Sequence, residues 1–211
     1  MYRIVAASGF CLLWLFPTAH MAAEQPVPAN SRTNAVSPAG GWKLTDLAET
    51  MQSLRGRSYA NGKRLFERAH CTTCHRQDNV GNEFGPDLTK LDPRFQPLDI
   101  LRDILDPSRR IADAKFDAWI FEMNSGKIVA GLILRETDRV VKVMEKPLAS
   151  TSQTLLDKSD IANRTMSLVS VMPQGLVDSL TRDEIADLVA YIAARGDATD
   201  PLVQAHTDTG R

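Results

Sequence analysis

The sequence predicts a mainly α-helical domain that is interrupted by a small antiparallel β module. Three stretches carry apolar residues at helical spacing, at residues 61–69, 98–105 and 181–196. Between the second and the third, residues 114–166 alternate apolar with polar positions and contain turn sequences, which is typical of antiparallel strands. A length of 211 residues is compatible with one domain of this kind.

The N-terminal region is expected to lie outside the folded domain. Residues 1–23 contain one basic residue and the apolar run Ile4–Phe16, which indicates a signal peptide for export. The run is too short for a membrane span, so we expect none in the mature form. Met21 stands where a cleavage site prefers a small residue, so an uncleaved anchor is the alternative. Residues 24–41 are rich in Pro, Ala, Ser and Asn, which predicts a flexible linker.

The remaining chain divides into an interrupted helical domain and its flanks. Residues 42–57 are assigned to an accessory N-terminal helix, because their apolar residues recur at helical spacing. The main helical domain is expected to comprise residues 58–113 and 167–197, with the β module inserted over 114–166. Residues 198–211 are polar and are predicted to form a C-terminal tail.

The helix over residues 61–69 is predicted to pack against the last helix, over residues 181–196. A glycine within a helix lowers its stability unless another helix must approach closely, so Gly62 marks the expected contact. From the last helix, Leu188 and Tyr191 are expected to cross Gly62 and Phe66.

The β module is predicted from three clear strands, at residues 119–123, 128–134 and 140–144, with a short fourth strand at 154–156. Turn sequences rich in Asn, Ser, Gly, Asp and Thr separate them. The pattern does not indicate what the module does. Packing against a bound group, docking of a partner and simple bulk are all compatible with it.

One pentapeptide, Cys71-Thr72-Thr73-Cys74-His75, carries the strongest chemical signal of the chain. Two cysteines three positions apart with a histidine directly after them form the attachment pattern of haem c. The two thiols must lie about one helical turn apart to bond two vinyl groups on one edge of the porphyrin. The histidine then becomes an axial ligand of the iron. The pattern therefore predicts one covalently attached haem.

A thioredoxin-type redox pair and a zinc site are the alternatives for these cysteines. A thioredoxin motif follows a strand and opens a helix, whereas a helix is predicted before this pair. A structural zinc site has four ligands. Since Cys11 lies in the predicted signal peptide, zinc would need His70 and His75 beside the two thiols, which is a cramped arrangement. Both alternatives are disfavoured relative to haem.

Two further segments supply candidate haem contacts. The carbonyl of Pro86 is free to accept a hydrogen bond from the outer ring nitrogen of His75, which would orient the imidazole and raise its basicity. Met172 lies in a loop stiffened by a following proline, and its thioether suits the second axial position. Met166 is its competitor. The predicted iron ligands are therefore His75 and Met172.

Together these motifs resemble the haem-binding c-type cytochrome domain that is abundant in planctomycetes and related bacteria. The matching segments are residues 62–66, 71–75, 85–89, 104–108, 124–126 with Gly131, 172–176 and 184–192. The resemblance implies a class I cytochrome c-like helical haem domain with a small antiparallel β insertion between the proximal and distal ligand segments. It also implies His75 as the proximal ligand and Met172 as the distal one. Members of the family usually have Asp-Gly where this chain has Ser125-Gly126.

The function expected from these features is that of an exported, periplasmic mono-haem electron carrier without enzymatic activity of its own. Its cofactor would be one haem c with its iron. As the family's neighbours suggest, electrons would come from a periplasmic dehydrogenase, such as a quinoprotein acting on sugars or alcohols. They would pass to an oxidase or to another cytochrome. Such a carrier can also serve as a subunit of a dehydrogenase complex.

The alternative function is a haem protein with a labile distal ligand, either a gas sensor or a peroxidase-like protein. A peroxidase needs a distal histidine paired with an arginine, and neither His70 nor His206 is placed for that role. The chain has 25 basic and 26 acidic residues and no basic tract, so nucleic acid is not an expected partner.

Overall fold

A computed structural model of the chain describes residues 37–110, 116–145, 148 and 153–204. The predicted signal peptide, most of the predicted linker and the end of the predicted tail lie outside these ranges. Within them, none of the helices is both long enough and apolar enough to cross a membrane.

The described residues form four short α-helices and nine strands. The helices are α1 (Leu44–Met51), α2 (Tyr59–Arg68), α3 (Pro97–Leu105) and α4 (Arg182–Ala193). The strands are β1 (Arg57–Ser58), β2 (Arg76–Gln77), β3 (Val80–Gly81), β4 (Ala118–Met123), β5 (Ile128–Glu136), β6 (Val140–Met144), β7 (Thr154–Asp157), β8 (Ile161–Met166) and β9 (Val203–Gln204).

Helices α2 and α4 cross at Gly62, as the sequence predicted. A Cβ atom on Gly62 would overlap the Cβ of Tyr191 and the carbonyl oxygen of Asp187, so only glycine permits this approach. The ring of Phe66 lies 5.7 Å from the ring of Tyr191, measured between centroids. The predicted contact between the two helices is thus confirmed.

Polar contacts also join the same pair of helices. The hydroxyl of Thr181 accepts from the amide of Glu184, and the Glu184 carboxylate accepts from the amide of Thr181 at 2.8 Å, so the two residues form a capping box at the start of α4. Arg68, at the end of α2, donates to Glu184 at 2.8 Å. The carboxylate of Asp187 accepts from Arg57 at 2.6 Å and from Asn61 at 2.7 Å. The two helices are therefore joined by side chains from both.

The other two helices belong to the same hydrophobic core. Leu47 of α1 and Leu101 of α3 are fully buried in the cluster that α2 and α4 form. The indole of Trp42, just before α1, donates to the carbonyl oxygen of Leu180 at 3.0 Å. The N-terminal helix, expected as an accessory element, thus packs directly on the helices that carry the rest of the core.

The five longer strands form one antiparallel sheet in the order β7-β6-β5-β4-β8. One face carries a core of its own, formed by Phe121, Val129, Val141, Val143 and Leu156. The guanidinium of Arg164 lies 4.4 Å from the Trp119 ring centroid on this face.

The sheet is strongly curled, because its two outer strands are joined by a very short connection. In a flat sheet β7 and β8 would lie four strand spacings apart, about 19 Å. The chain from Asp157 to Ile161 reaches about 14 Å at most, and it contains only the 3₁₀ turn Lys158–Asp160. Glu136 at the end of β5 bonds both Lys158, at 2.7 Å, and Arg164, at 2.9 Å. The outer strands are therefore drawn toward each other over the small core.

The prediction of a mainly α-helical protein is wrong. The described residues are 31% helical and 24% strand, and the sheet has five strands rather than the three or four expected. The missed strand is β8, in which nearly every residue is exposed, so its sequence lacks the alternation that reveals a strand. The helices are also short, so they do not outweigh the sheet.

Candidate haem-binding site

The cysteine pair lies on a tight turn that follows α2. His70 adopts a left-handed conformation (φ 60°) that breaks the helix, and a 3₁₀ turn then runs over Cys71–Thr73. The amides of Cys74 and His75 both donate to the carbonyl oxygen of Cys71, at 3.2 and 2.8 Å. This turn brings both thiols and the imidazole to one wall of a cavity.

The chain after the motif folds back beneath the histidine ring. The β2–β3 hairpin returns it so that the amide of Asn82 donates to Thr72 O at 3.0 Å and the amide of Gly85 donates to Cys74 O at 2.7 Å. A Cβ on Gly85 would lie 2.8 Å from Cε1 of His75, which is closer than real contacts allow. Glycine at this position therefore lets the backbone lie directly against the imidazole.

The imidazole of His75 is held in one orientation and one tautomer. Its Nδ1 lies 2.9 Å from the carbonyl oxygen of Pro86, which can only accept, so Nδ1 carries the proton. Burial lowers the pKa of His75, although the Pro86 contact acts in the opposite direction. The ring is therefore neutral near pH 7, and its Nε2 keeps the lone pair that a metal ion requires.

The two thiols are not activated for redox chemistry. Burial raises the pKa of Cys71 to about 12, and burial also raises the pKa of Cys74. Catalytic redox cysteines instead have lowered pKa values, because the thiolate is the nucleophile. In addition, the described part of the chain contains no group of three His, Cys, Asp or Glu side chains that could hold a metal ion. The arrangement thus favours neither the thioredoxin-type nor the zinc alternative.

The cavity has a volume of about 290 Å³ and is lined mainly by apolar side chains. It lies between the motif, α2, α3, α4 and one end of the sheet. Its apolar and aromatic lining comes from all of these parts: Phe66, Phe84, Pro86, Leu88, Leu91, Phe95, Ile100, Ile104, Pro107, Phe116, Leu132, Val171, Met172 and Ile192. Such a lining suits a flat, largely apolar group better than a polar substrate.

Met172 is the one methionine among the described lining residues. It is half-buried and packs against the helical core. Its competitor Met166 is 46% exposed at the end of β8 and does not line the cavity. Met123 and Met144 lie within the sheet strands. Of the described thioethers, that of Met172 therefore has the position that a ligand at this cavity needs.

The two arginines after α3 have different positions. Arg110 lines the cavity, its guanidinium lies 4.8 Å from the centroid of the Phe95 ring, and its Nε is 3.8 Å from Asp103. Arg109 is also paired with Asp103, at 2.8 Å, but does not line the cavity. The sequence alone does not distinguish these two neighbouring arginines.

The sequence left open whether the sheet contributes to the cavity, and the structure shows that it does. Leu132 of β5 is only 4% exposed and lines the cavity, as does Phe116 just before β4. The alternation along β5 indicates which residues share a face. The alternation does not indicate that the sheet contacts the helical core at the end where Leu132 lies.

Two thiols, an imidazole with its outer nitrogen already bonded, and a thioether therefore line one apolar cavity. This donor set is that of a c-type haem site, in which both cysteines form thioethers and soft sulfur and imidazole ligands hold iron. Residues 59–162 match the family model "Cytochrome c", so the chain contains a c-type cytochrome haem-binding domain. Members of this family bind haem and its iron covalently and transfer electrons to and from redox partners. No curated protein matches the chain.

The matched range includes both cysteines, His75 and Pro86 but ends before Met172 and α4. It also runs through four strands of the sheet and into the fifth. The match establishes the domain type, and it does not assign the chain to the planctomycete group.

Proposed function

We propose that this protein is an exported electron carrier with a single haem c whose iron is bound by His75 and Met172. In this proposal Cys71 and Cys74 form the two thioether bonds, and Pro86 orients the proximal imidazole. The haem supplies a one-electron couple when bound, and the protein sets its reduction potential. The protein is not expected to act as an enzyme.

The main support for the proposal is that His75 and Met172 line the same cavity. A neutral imidazole and a thioether are the two soft, uncharged donors that favour reduced iron and thus raise the potential. The bond from Nδ1 of His75 to Pro86 partly offsets this effect, because it increases the electron density at Nε2. The apolar wall around both side chains excludes water and disfavours the more highly charged oxidised state.

Two occupied axial positions would leave no place for a substrate on the metal. The chain's residues would then serve only to hold the group rigidly and to limit rearrangement on electron transfer. This is why we favour an electron carrier over a gas sensor or a peroxidase-like protein, which need a vacant or labile distal position.

Replacement of Met172 by Ala in the haem-loaded protein tests the ligand assignment. We expect loss of the weak red absorption band that marks thioether ligation in the oxidised protein, a lower reduction potential, and immediate CO binding by the reduced protein. Met166→Ala is the matched control, because Met166 lies six positions earlier but is exposed outside the cavity. An unchanged spectrum and potential in Met172→Ala would eliminate the assignment. CO binding by the unaltered reduced protein would favour the gas-binding alternative.

Export and partners require separate tests. The apolar run within residues 1–23 supports a signal peptide, so we expect the mature, coloured protein in the periplasmic fraction with a new N-terminus near residue 24. A periplasmic dehydrogenase is the proposed donor, and an oxidase or a second cytochrome is the proposed acceptor. Rapid reduction of the purified protein by a quinoprotein dehydrogenase, measured in a stopped-flow instrument, would support this order. Reduction no faster than by free substrate alone would contradict it.

A further inference from the structure

Two hydrogen bonds connect Ser108, which lies shortly after the end of α3, to the backbone of Met172 by way of Ser170. The amide of Ser170 donates to the hydroxyl oxygen of Ser108 at 3.2 Å. The amide of Met172 then donates to the hydroxyl oxygen of Ser170 at 3.1 Å. Both bonds are partly buried, and the first joins residues 62 positions apart. We call this pair of contacts the serine relay.

The relay holds a part of the chain that has no helix or strand. Met172 lies between the end of β8 at Met166 and the start of α4 at Arg182. The described residues 167–181 form neither a helix nor a strand. The backbone on the N-terminal side of Met172 is therefore fixed by serine hydroxyls. A methionine side chain is itself flexible, so the position of its sulfur depends on how firmly its backbone is held.

Ser108 is well placed to serve as the fixed end of the relay. It follows Pro107, which is buried, directly after α3 in the helical core. At the neighbouring end of the sheet, the amide of Ser167 donates to the carbonyl oxygen of Ala118 at 2.8 Å. The segment before β4 and the segment after β8 are thus joined by two contacts, this backbone hydrogen bond and the bond between Ser170 and Ser108.

We propose that Ser108 and Ser170 are positioning residues that hold the Met172 thioether at the haem iron. The inference rests on the proposed function, because it takes Met172 as the axial ligand. It adds a role for Ser108, which lies outside the ligand segments, and for the sheet that separates Ser108 from Ser170. Hydroxyl groups that orient a ligand contribute to metal binding although they never contact the metal.

The test is competition for the distal position in the haem-loaded protein. Imidazole is added to the oxidised form, and its apparent affinity is read from the loss of the thioether absorption band. Ser108→Ala should raise the apparent affinity for imidazole about 2- to 10-fold, which is the range that one lost hydrogen bond of ordinary strength produces. Ser170→Ala should have at least the same effect, and Ser108→Thr, which keeps a hydroxyl, should restore most of the original value.

Ser167→Ala is the matched control. The Ser167 hydroxyl lies in the same segment, where it donates to the carbonyl and accepts from the amide of Val169, both at 3.0 Å, but neither of the two bonds of the serine relay involves it. An equal rise in imidazole affinity in this control would show general loosening of the loop and overturn the proposal. Unchanged affinity in Ser108→Ala and Ser170→Ala would overturn it as well. If the unaltered protein lacks the thioether band, the proposed function fails first, and this inference fails with it.

Discussion

Replacement of Gly62 by Ala tests whether the close approach of α2 and α4 is a condition for the haem site. An added Cβ would overlap the Cβ of Tyr191 and the carbonyl oxygen of Asp187. The first is at the root of a fully buried side chain, and the second belongs to the backbone of α4. Neither can move without α4, so we expect the two helices to separate. Phe66, one turn further along α2, lines the cavity and would move with its helix.

The expected magnitude follows from two opposing effects. In an exposed helix interior the change from Gly to Ala would raise the free energy of unfolding by about 1 kcal/mol. Overpacking a well-packed contact lowers the free energy of unfolding by about 1–3 kcal/mol. The upper end of this range applies here, because the neighbours of Gly62 are fixed. The net loss is thus about 2 kcal/mol, which corresponds to a Tm lower by about 4–8 °C for a chain of this size.

Urea unfolding, followed by circular dichroism and by haem absorbance, measures this change. Ala60→Gly is the matched control, because Ala60 lies on the exposed side of the same helix and reports intrinsic helix preference alone. We expect this substitution to lower the free energy of unfolding by at most about 1 kcal/mol, because Ala60 lies in the first turn of α2 and the full value applies to a helix interior. If Gly62→Ala instead gains about the amount that the control loses, the helices have room at their crossing, and steric fit does not explain the glycine.

Three further predictions concern the walls of the cavity and the cap of α4. Gly85→Ala would press against the His75 ring and weaken its bond to the proline carbonyl, so potentiometric titration should show a higher reduction potential. Leu132→Asn should lower the potential, since a polar group in the cavity favours the oxidised state, whereas Ala130→Asn, exposed on the same strand, should leave it unchanged. Burial raises the pKa of Glu184, but the hydrogen bonds at the helix start and from an arginine outweigh it and lower the pKa below its ordinary 4.5. The ionised Glu184 therefore contributes to the free energy of unfolding above about pH 4.5, and this contribution is lost as the pH falls through the folded-state pKa. Glu184→Gln should destabilise the protein at neutral pH, and its urea-unfolding free energy should fall less on acidification; an equal fall would contradict the assignment.

The parts of the site that could be predicted from the sequence are those whose chemistry is local. The motif Cys71–His75 needs only the geometry of one turn, and the contact between His75 and Pro86 spans a single short loop. The crossing of α2 and α4 was also predictable, because Gly62 is unfavourable in a helix unless something lies close to it.

The parts that could not be predicted depend on how distant segments meet. Strand β8 is recognisable only through its pairing with β4, because its own side chains are mostly exposed. From the sequence, Leu132 is an ordinary buried strand residue. It lines the cavity only because this end of the sheet lies against the helical core. Ser108 and Ser170 are common loop residues, and no local pattern links them across the sheet.

The pairing of β4 with β8 explains how a sheet can lie between the two proposed ligand segments without loosening the site. Closing a flexible loop of 62 residues between Ser108 and Ser170 costs about 4 kcal/mol of chain entropy. One hydrogen bond contributes about 1 kcal/mol, so the serine contact alone could not hold that loop closed. Five register pairs between β4 and β8 bring the two ends of the insertion together first, and the serine contact then closes only the short remainder. The stability of the sheet and the position of Met172 should therefore be coupled. A substitution that unfolds the sheet core, such as Phe121→Asp, should weaken thioether ligation although Phe121 does not line the cavity.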